Sequence, residues 1–238
     1  MKLAPIAMII VIVAALLLIV AGPGTRLGLW EFGTGFVMMR WALFLGLGGA
    51  GLALVLLFLS KARRGRGAIL AAALIIGIGT AWVPWSGYQK ARSLPPIHDI
   101  TTDTTNPPQF VDVAPLRIDA PNPLDYAGEE VADQQRAAYP DIRALELSQS
   151  ADQTFERALQ TARELGWEIV SAVPADGRIE ATATTFWFGF NDDVVIRITP
   201  AGAGSRLDIR SKSRVGRSDV GANAARIRDF VRNFQHRG

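Results

Sequence analysis

Three long apolar stretches in the first 85 residues constrain the fold of this chain more than any other feature. They cover residues 3–21, 41–60 and 68–84, and none of them contains a charged side chain. A helix needs roughly 20 apolar residues, and about 17 at the least, to cross the hydrocarbon core of a bilayer. The first stretch is also longer than the roughly 7–15 apolar residues at the centre of a cleavable signal peptide. The sequence therefore predicts a transmembrane region over residues 1–85 with three spans.

The charges between the second and third stretches predict how the chain is oriented. Residues 61–66 carry four basic side chains and no acidic one, and a loop of this kind stays on the cytoplasmic side of the membrane. The N-terminus is then cytoplasmic too, and the chain that follows Trp85 lies on the opposite side. In a bacterium, this orientation corresponds to the inner (cytoplasmic) membrane with a periplasmic C-terminal domain.

Small residues recur every four positions in the second and third stretches. They are Gly46 with Ala50, Gly49 with Ala53, and Ala73 with Gly77 and Ala81. Such faces let helix backbones approach closely within a bilayer. We interpret them as surfaces on which the three helices pack against one another, with a dimer contact as the alternative.

The remaining residues predict a water-facing domain. Residues 86–110 contain four prolines, and they are predicted to be a linker that leads into an extracytoplasmic domain over residues 111–238. Within that domain, Ser150 and Gln153 have the spacing of a capping box at the start of a helix. The order β-α-β-β-β-β-α, with short turns between consecutive strands, predicts an α+β fold of two layers, an antiparallel sheet with helices on one face.

The alternation of apolar side chains sets the register of the C-terminal strands. Matching the apolar faces pairs Ala183 with Val194 and leaves residues 187–190 as the turn between them. Across the next turn, it pairs Ile196 with Ile209. A slip by one residue would turn every apolar side chain toward solvent, so the parity of this register is well determined.

The opposite face of the same strands is predicted to be charged. It places Arg197 opposite Asp208 and Asp193 opposite Lys212. The basic side chains of this face are Arg197, Arg206, Arg210, Lys212 and Arg214. We interpret them as a solvated ladder of charges, with lipid headgroups or an acidic protein partner as alternatives. Nucleic acid is not an expected partner in the predicted compartment.

Four segments carry a resemblance to a known family. They are residues 95–103 (PPIHDITTD), Tyr139-Pro140, residues 178–198 (RIEATATTFWFGFNDDVVIRI) and residues 210–228 (RSKSRVGRSDVGANAARIR). With these motifs, the chain resembles the domain-of-unknown-function 1499 family over roughly residues 90–235, and many bacterial members of that family also begin with several membrane helices. The resemblance implies no established reaction. Plastid relatives imply a role beside membranes.

The segment around His98 is the main candidate for chemistry. His98 is a potential general base, and Asp99 and Asp103 add carboxylates close to it in sequence. With Arg210 or Arg214, this cluster would support a hydrolase or a transferase, provided that His98 lies near both arginines in one cleft. The alternative is that these polar side chains cap turns. Because the chain has two histidines and no cysteine, we predict no metal site and no cofactor.

The loop between the last strand and the last helix has the ingredients of an anion site. Arg214, Arg217 and the N-terminus of the helix are groups that bind anions. In the alternative interpretation, Ser218 or Asp219 caps the same backbone N–H groups.

The turn over residues 187–190 is unusual because three of its four residues are aromatic. Trp187, Phe188 and Phe190 are predicted either to fold back over the sheet edge or to dock a ligand, a partner or a bilayer surface. We therefore favour a membrane-anchored envelope protein without enzymatic activity. Its extracytoplasmic domain would bind a protein partner, a lipid headgroup or a small ligand.

Overall fold

The computed structural model describes residues 3–59 and 64–236. The chain forms two compact units. The first comprises Met1–Arg92 together with Phe186–Gly189, and the second comprises Ser93–Thr185 and Phe190–Gly238. Residues 61–63 of the predicted cytoplasmic loop lie outside the described residues.

The first unit contains three long helices. These are α1 (Leu3–Arg26), α2 (Phe32–Phe58) and α3 (Gly67–Ser93). Each is long and apolar enough to cross a membrane, and the three predicted spans fall on them. Helix α3 continues past Pro84 to Ser93, beyond the end of the predicted span. The prediction of three membrane-spanning segments therefore agrees with the helices of this unit.

Small residues lie where the three helices meet. Gly46 on α2 and Gly77 on α3 are buried. A Cβ atom placed on Gly46 would lie 2.8 Å from the carbonyl oxygen of Gly77. One placed on Gly77 would lie 2.9 Å from Cγ1 of Val11 and 3.0 Å from Cβ of Ala50. The interpretation that the small residues pack the helices against one another is thus confirmed, because glycine alone permits this approach.

The second unit is built on a six-stranded antiparallel sheet. Its strands are β1 (Asp99–Thr101), β2 (Leu145–Leu147), β3 (Glu168–Val173), β4 (Arg178–Thr184), β5 (Asn191–Ala201) and β6 (Gly204–Ser213). The strand order is β1-β6-β5-β4-β3, and β2 also pairs with β6. Three helices accompany the sheet, namely α4 (Glu129–Ala138), α5 (Ala151–Glu164) and α6 (Ala222–Gln235). The predicted α+β class with an antiparallel sheet is confirmed.

Helices α5 and α6 cover one face of the sheet. The predicted capping box at the start of α5 is present, since Ser150 and Gln153 each bond the other's backbone N–H. The apolar side chains of the two helices and of the sheet form one buried core. Within this core, the rings of Trp167 and Phe230 stack with their centroids 5.5 Å apart. Burial of each large apolar side chain stabilises the unit by roughly 1.5–3 kcal/mol, so this face accounts for most of the hydrophobic stabilisation.

The register between β5 and β6 agrees with the predicted one. Ile196 lies opposite Ile209, as the alternation of apolar residues requires. On the other face, Arg197 lies opposite Asp208 and Asp193 lies opposite Lys212. Both predicted charge pairs are therefore confirmed as cross-strand neighbours.

The register between β4 and β5 differs from the predicted one by two residues. Val194 lies opposite Ala181 rather than opposite Ala183. A shift by two positions keeps the same side chains on the same face, so alternation cannot distinguish the two registers. The turn consequently spans residues 185–190. The N–H of Thr185 donates to the carbonyl of Phe190 at 2.8 Å, and the N–H of Phe190 donates to Oγ1 of Thr185 at 2.8 Å.

Candidate functional site

The face of the sheet opposite the helices is covered by residues 102–126, which we call the cover segment. The backbone N–H groups of Val111 and Val113 each donate to the carboxylate of Glu180 on β4, both at 2.9 Å. Under this segment, Arg210 is 0% exposed and Lys212 is 1% exposed. The interpretation of these residues as a solvated ladder of charges is therefore wrong.

Asp99 holds the centre of the covered face. Its carboxylate accepts from Nε and Nη2 of Arg210 at 2.9 and 2.8 Å and from Nζ of Lys212 at 2.7 Å. Further donors of the two cations reach backbone oxygens of the cover segment, those of Pro108, Leu124 and Asp125. Burial lowers the pKa of Lys212, and the adjacent carboxylate opposes that shift. We call Asp99, Arg210 and Lys212 the Asp99 cluster.

Aromatic rings complete the surroundings of Arg210. Its guanidinium carbon lies 5.0 Å from the ring centroid of Phe110 and 5.4 Å from that of Tyr126. Burial, together with the charge of Asp99, raises the pKa of Tyr126 to about 12. The Asp99 cluster is thus enclosed by rings and carbonyl oxygens, and its hydrogen bonds are made within the protein.

Arg214 belongs to a second cluster, around Asp193. The carboxylate of Asp193 accepts from Arg117 at 2.7 Å, from Arg214 at 3.0 and 2.8 Å, and from Oγ1 of Thr182 at 2.8 Å. Burial alone would raise the pKa of Asp193, but the hydrogen bonds from Arg214, Thr182 and Arg117 hold it below its usual value. This carboxylate therefore stays ionised and fixes the cover segment to the sheet through Arg117.

Asp103 lies in a third group of charges. Its Oδ2 accepts from Arg197 at 3.1 Å and from Arg206 at 3.2 Å, and both arginines also bond Asp208. Its Oδ1 accepts backbone N–H groups of residues 105 and 106 at 3.1 and 2.9 Å. Asp103 therefore caps a turn, as the alternative interpretation predicted.

His98 is not joined to the arginines that the enzyme hypothesis requires. Its Nδ1 lies 3.4 Å from the carbonyl oxygen of Arg217, while Arg210 is bound to Asp99 and Arg214 to Asp193. None of the contacts of His98 in the described ranges reaches Arg210 or Arg214. Since neighbouring side chains along an extended segment point to opposite sides, His98 and Asp99 separate. The hydrolase or transferase hypothesis gains no support from this geometry.

Asp219 occupies the N-terminus of α6. Its Oδ1 accepts from the N–H of Gly221, and its Oδ2 accepts from the N–H of Asn223, both at 2.8 Å. Burial raises the pKa of Asp219, against the effect of these hydrogen bonds. Asp219 therefore occupies two of the backbone N–H groups that the predicted anion site would offer. Arg217 lies exposed in the preceding loop.

The first unit includes the central residues of the aromatic turn. Phe188 is 9% exposed, and its ring centroid lies 5.2 Å from that of Phe36 and 5.5 Å from that of Trp187. A Cβ atom on Gly35 would lie 2.8 Å from Cε1 of Phe188. Phe186, in contrast, is 92% exposed. Within this unit, the ring of Phe188 is therefore shielded from water.

Replacement of these two phenylalanines should have unequal effects. We expect Phe188→Ser to reduce the free energy of unfolding by about 2 kcal/mol, because a buried ring loses its apolar contacts. Phe186→Ser is the matched control, and its effect should stay within about 0.5 kcal/mol. Thermal unfolding of the full chain in detergent measures both. Equal losses for the two variants would contradict the packing of Phe188.

A cavity of about 320 Å³ lies between residues 141–145 and α6. Its lining residues are Asp141, Ile142, Arg143, Leu145, Ile227, Arg228, Val231, Arg232, Gln235 and His236. The carboxylate of Asp141 bonds Arg228 at 2.6 and 2.7 Å, and this interaction lowers the pKa of Asp141. The sequence pattern did not predict this site. The available signal was spacing on one helix. Ile227 and Val231 are four residues apart, as are Arg228 and Arg232, and residues four apart are neighbours on a helix surface.

The described residues contain no group of three or more histidine and acidic side chains placed to hold a metal ion. Three helices able to cross a membrane and one polar α+β domain define a membrane-anchored protein. The chain matches the family described as "Protein of unknown function (DUF1499)" over residues 99–234, more than half of its length, and it belongs to that family. The predicted resemblance is thereby confirmed. The search of curated proteins found no match.

Proposed function

We propose that the protein is an integral protein of the bacterial inner (cytoplasmic) membrane with a cytoplasmic N-terminus. The domain that follows α3 then lies in the periplasm as part of the cell envelope. The four basic side chains within residues 61–66 support this orientation, because positively charged loops remain cytoplasmic. The three apolar helices also support the proposal, because an odd number of crossings would put the two ends of the chain on opposite sides.

We also propose that the domain is a binding module rather than an enzyme. The observation that carries this proposal is the contrast between the Asp99 cluster and the cavity beside α6. Asp99, Arg210 and Lys212 are buried and hydrogen-bonded within the protein, so a substrate has no access to them. The cavity, with its arginines and apolar residues, is open to a small ligand or a lipid headgroup.

Among the candidate binding residues predicted from the sequence, a partner could reach those that are exposed to solvent. Trp187 is half-buried and Arg217 is exposed. Asp103 and Phe190 are half-buried and already engaged in the turns described above. We therefore assign the ligand to the cavity, and we assign Trp187 and Arg217 to the surface for a protein partner.

The orientation is tested with alkaline phosphatase fusions in a bacterial host. Fusion after Ser93, at the end of α3, should give active phosphatase, because this enzyme matures only outside the cytoplasm. Fusion after Arg66 should give inactive phosphatase. Matched β-galactosidase fusions at the same two positions should show the reverse pattern. Activity of the phosphatase after Arg66 and not after Ser93 would refute the orientation and the compartment together.

A further inference from the structure

We propose that the cavity beside α6 binds an amphipathic anion, a carboxylate or phosphate group attached to a short apolar chain. This inference rests on the proposal that the domain is a binding module. It names the chemical class of the ligand.

The inner part of the cavity is apolar. Ile142 and Ile227 are buried, and Leu145 and Val231 are half-buried. Residues of this kind gain roughly 25 cal/mol for each Å² of apolar surface that a ligand removes from water. The volume of about 320 Å³ is at the lower end of the range for small-molecule sites, so it suits a short chain rather than a large ligand.

The rim of the cavity is positively charged. Its lining contains three arginines and one carboxylate, that of Asp141. Arg228 is engaged by Asp141, and Arg232 is engaged by Asp229. The rim therefore carries an excess of positive charge that an anion would neutralise.

Arg143 is the best placed of these cations for a ligand. Its Nε donates to the carbonyl oxygen of Pro140 at 2.9 Å, which fixes the stem of the guanidinium. Its two terminal nitrogens have no hydrogen-bond partner among residues 3–59 and 64–236. A guanidinium with both terminal nitrogens available binds a carboxylate or a phosphate through two parallel hydrogen bonds. A neutral apolar ligand would leave these donors unused, so the chemistry favours an anion.

The two histidines of the chain provide a probe and its internal control. His236 lines the cavity, and His98 lies beside Arg217 and not in the cavity lining. The full chain, labelled with ¹³C at its histidine rings, is placed in phosphatidylcholine nanodiscs and titrated with octanoate. We expect a saturable shift of the His236 signal and no shift of the His98 signal. Octanol has the same chain without the charge. Its affinity, measured from the His236 signal, should be at least tenfold lower than that of octanoate.

Three substitutions separate the two halves of the site. Arg143→Gln should weaken octanoate binding about tenfold, because a hydrogen bond to a charged group is lost. Val231→Thr keeps the side-chain shape and should weaken octanoate binding through the apolar part. Arg217→Gln removes the same charge outside the cavity and should leave the affinity unchanged.

The source of the anion is resolved with a second set of nanodiscs, which contain phosphatidylglycerol. If this lipid shifts His236 without octanoate and competes with it, the ligand is a lipid headgroup. If only octanoate acts, the ligand is a free amphiphile. Equal responses to octanol and octanoate, or no response of His236 to either, would overturn the inference. An octanol response would still leave a binding module, and the fusion experiment reports on the orientation independently of all these results.

Discussion

Asp99→Asn should reduce the free energy of unfolding of the second unit by about 3–5 kcal/mol. The substitution keeps the shape of the side chain but removes the negative charge that binds Arg210 and Lys212 at 2.8 and 2.7 Å. Two cations would then remain buried under the cover segment without their carboxylate. The loss is measured by urea unfolding of the full chain in detergent, followed by near-ultraviolet circular dichroism.

The matched control for this prediction is Asp133→Asn on α4. Asp133 also pairs with an arginine, Arg136, at 2.6 Å, but its side chain is 71% exposed. Exposed pairs contribute little, so its effect should stay below about 1 kcal/mol. Adding Lys212→Met to the Asp99→Asn variant should recover part of the loss, because it removes one of the two uncompensated cations. Equal losses for the Asp99 and Asp133 substitutions would contradict the prediction, because the contribution of Asp99 to the free energy of unfolding would then not depend on its burial.

Local patterns predicted the parts of the fold that depend on side-chain periodicity. The apolar alternation around Ile196 and Ile209 determined which face of the sheet the helices cover, and the register at this pair is the predicted one. The capping box at Ser150 determined where α5 begins. Alternation has a period of two, however, so it could not detect the two-residue shift that places Ala181 opposite Val194.

The covered charged face could not be predicted in the same way. The cover segment has no hydrophobic periodicity, and it is held largely by backbone oxygens and N–H groups, which every sequence possesses. The carbonyl oxygens of Pro108 and Leu124 bond Arg210 across more than 80 residues of sequence. Such contacts leave no trace in residue types. Arg210 and Lys212 therefore had the sequence pattern of solvated charges, whereas tertiary packing buries them.

The candidate site was only partly accessible from sequence for a related reason. The sequence pattern singled out Asp99 and Arg210 as candidate site residues, but it could not show that they are buried and bonded to each other. It also could not bring Arg143 beside α6, because that contact depends on where a short irregular segment crosses the helix. The cavity forms only where this segment passes the helix. Its lining residues have ordinary spacing when they are considered one element at a time.

The packing of the helices in the first unit can be tested at a single residue, Gly77. A Cβ atom placed on Gly77 of α3 would lie 2.6 Å from the backbone carbonyl oxygen of Gly46 on α2. Backbone atoms cannot move aside as the end of a flexible side chain can. A side chain at this position must therefore push α2 and α3 apart.

Gly77→Val should consequently reduce the free energy of unfolding by about 3 kcal/mol, at the upper end of the usual cost of overpacking. Gly79→Val is the matched control, since a Cβ atom at Gly79 meets no atom within 4 Å. Its effect should stay below about 0.5 kcal/mol. Unfolding of the full chain in mixed micelles of increasing SDS content measures both, with size-exclusion chromatography on the same samples. If Gly77→Val instead left the unfolding curve unchanged and converted a dimer into a monomer, the small residues would serve association between chains, and the intramolecular packing at Gly46 and Gly77 would be refuted as their role.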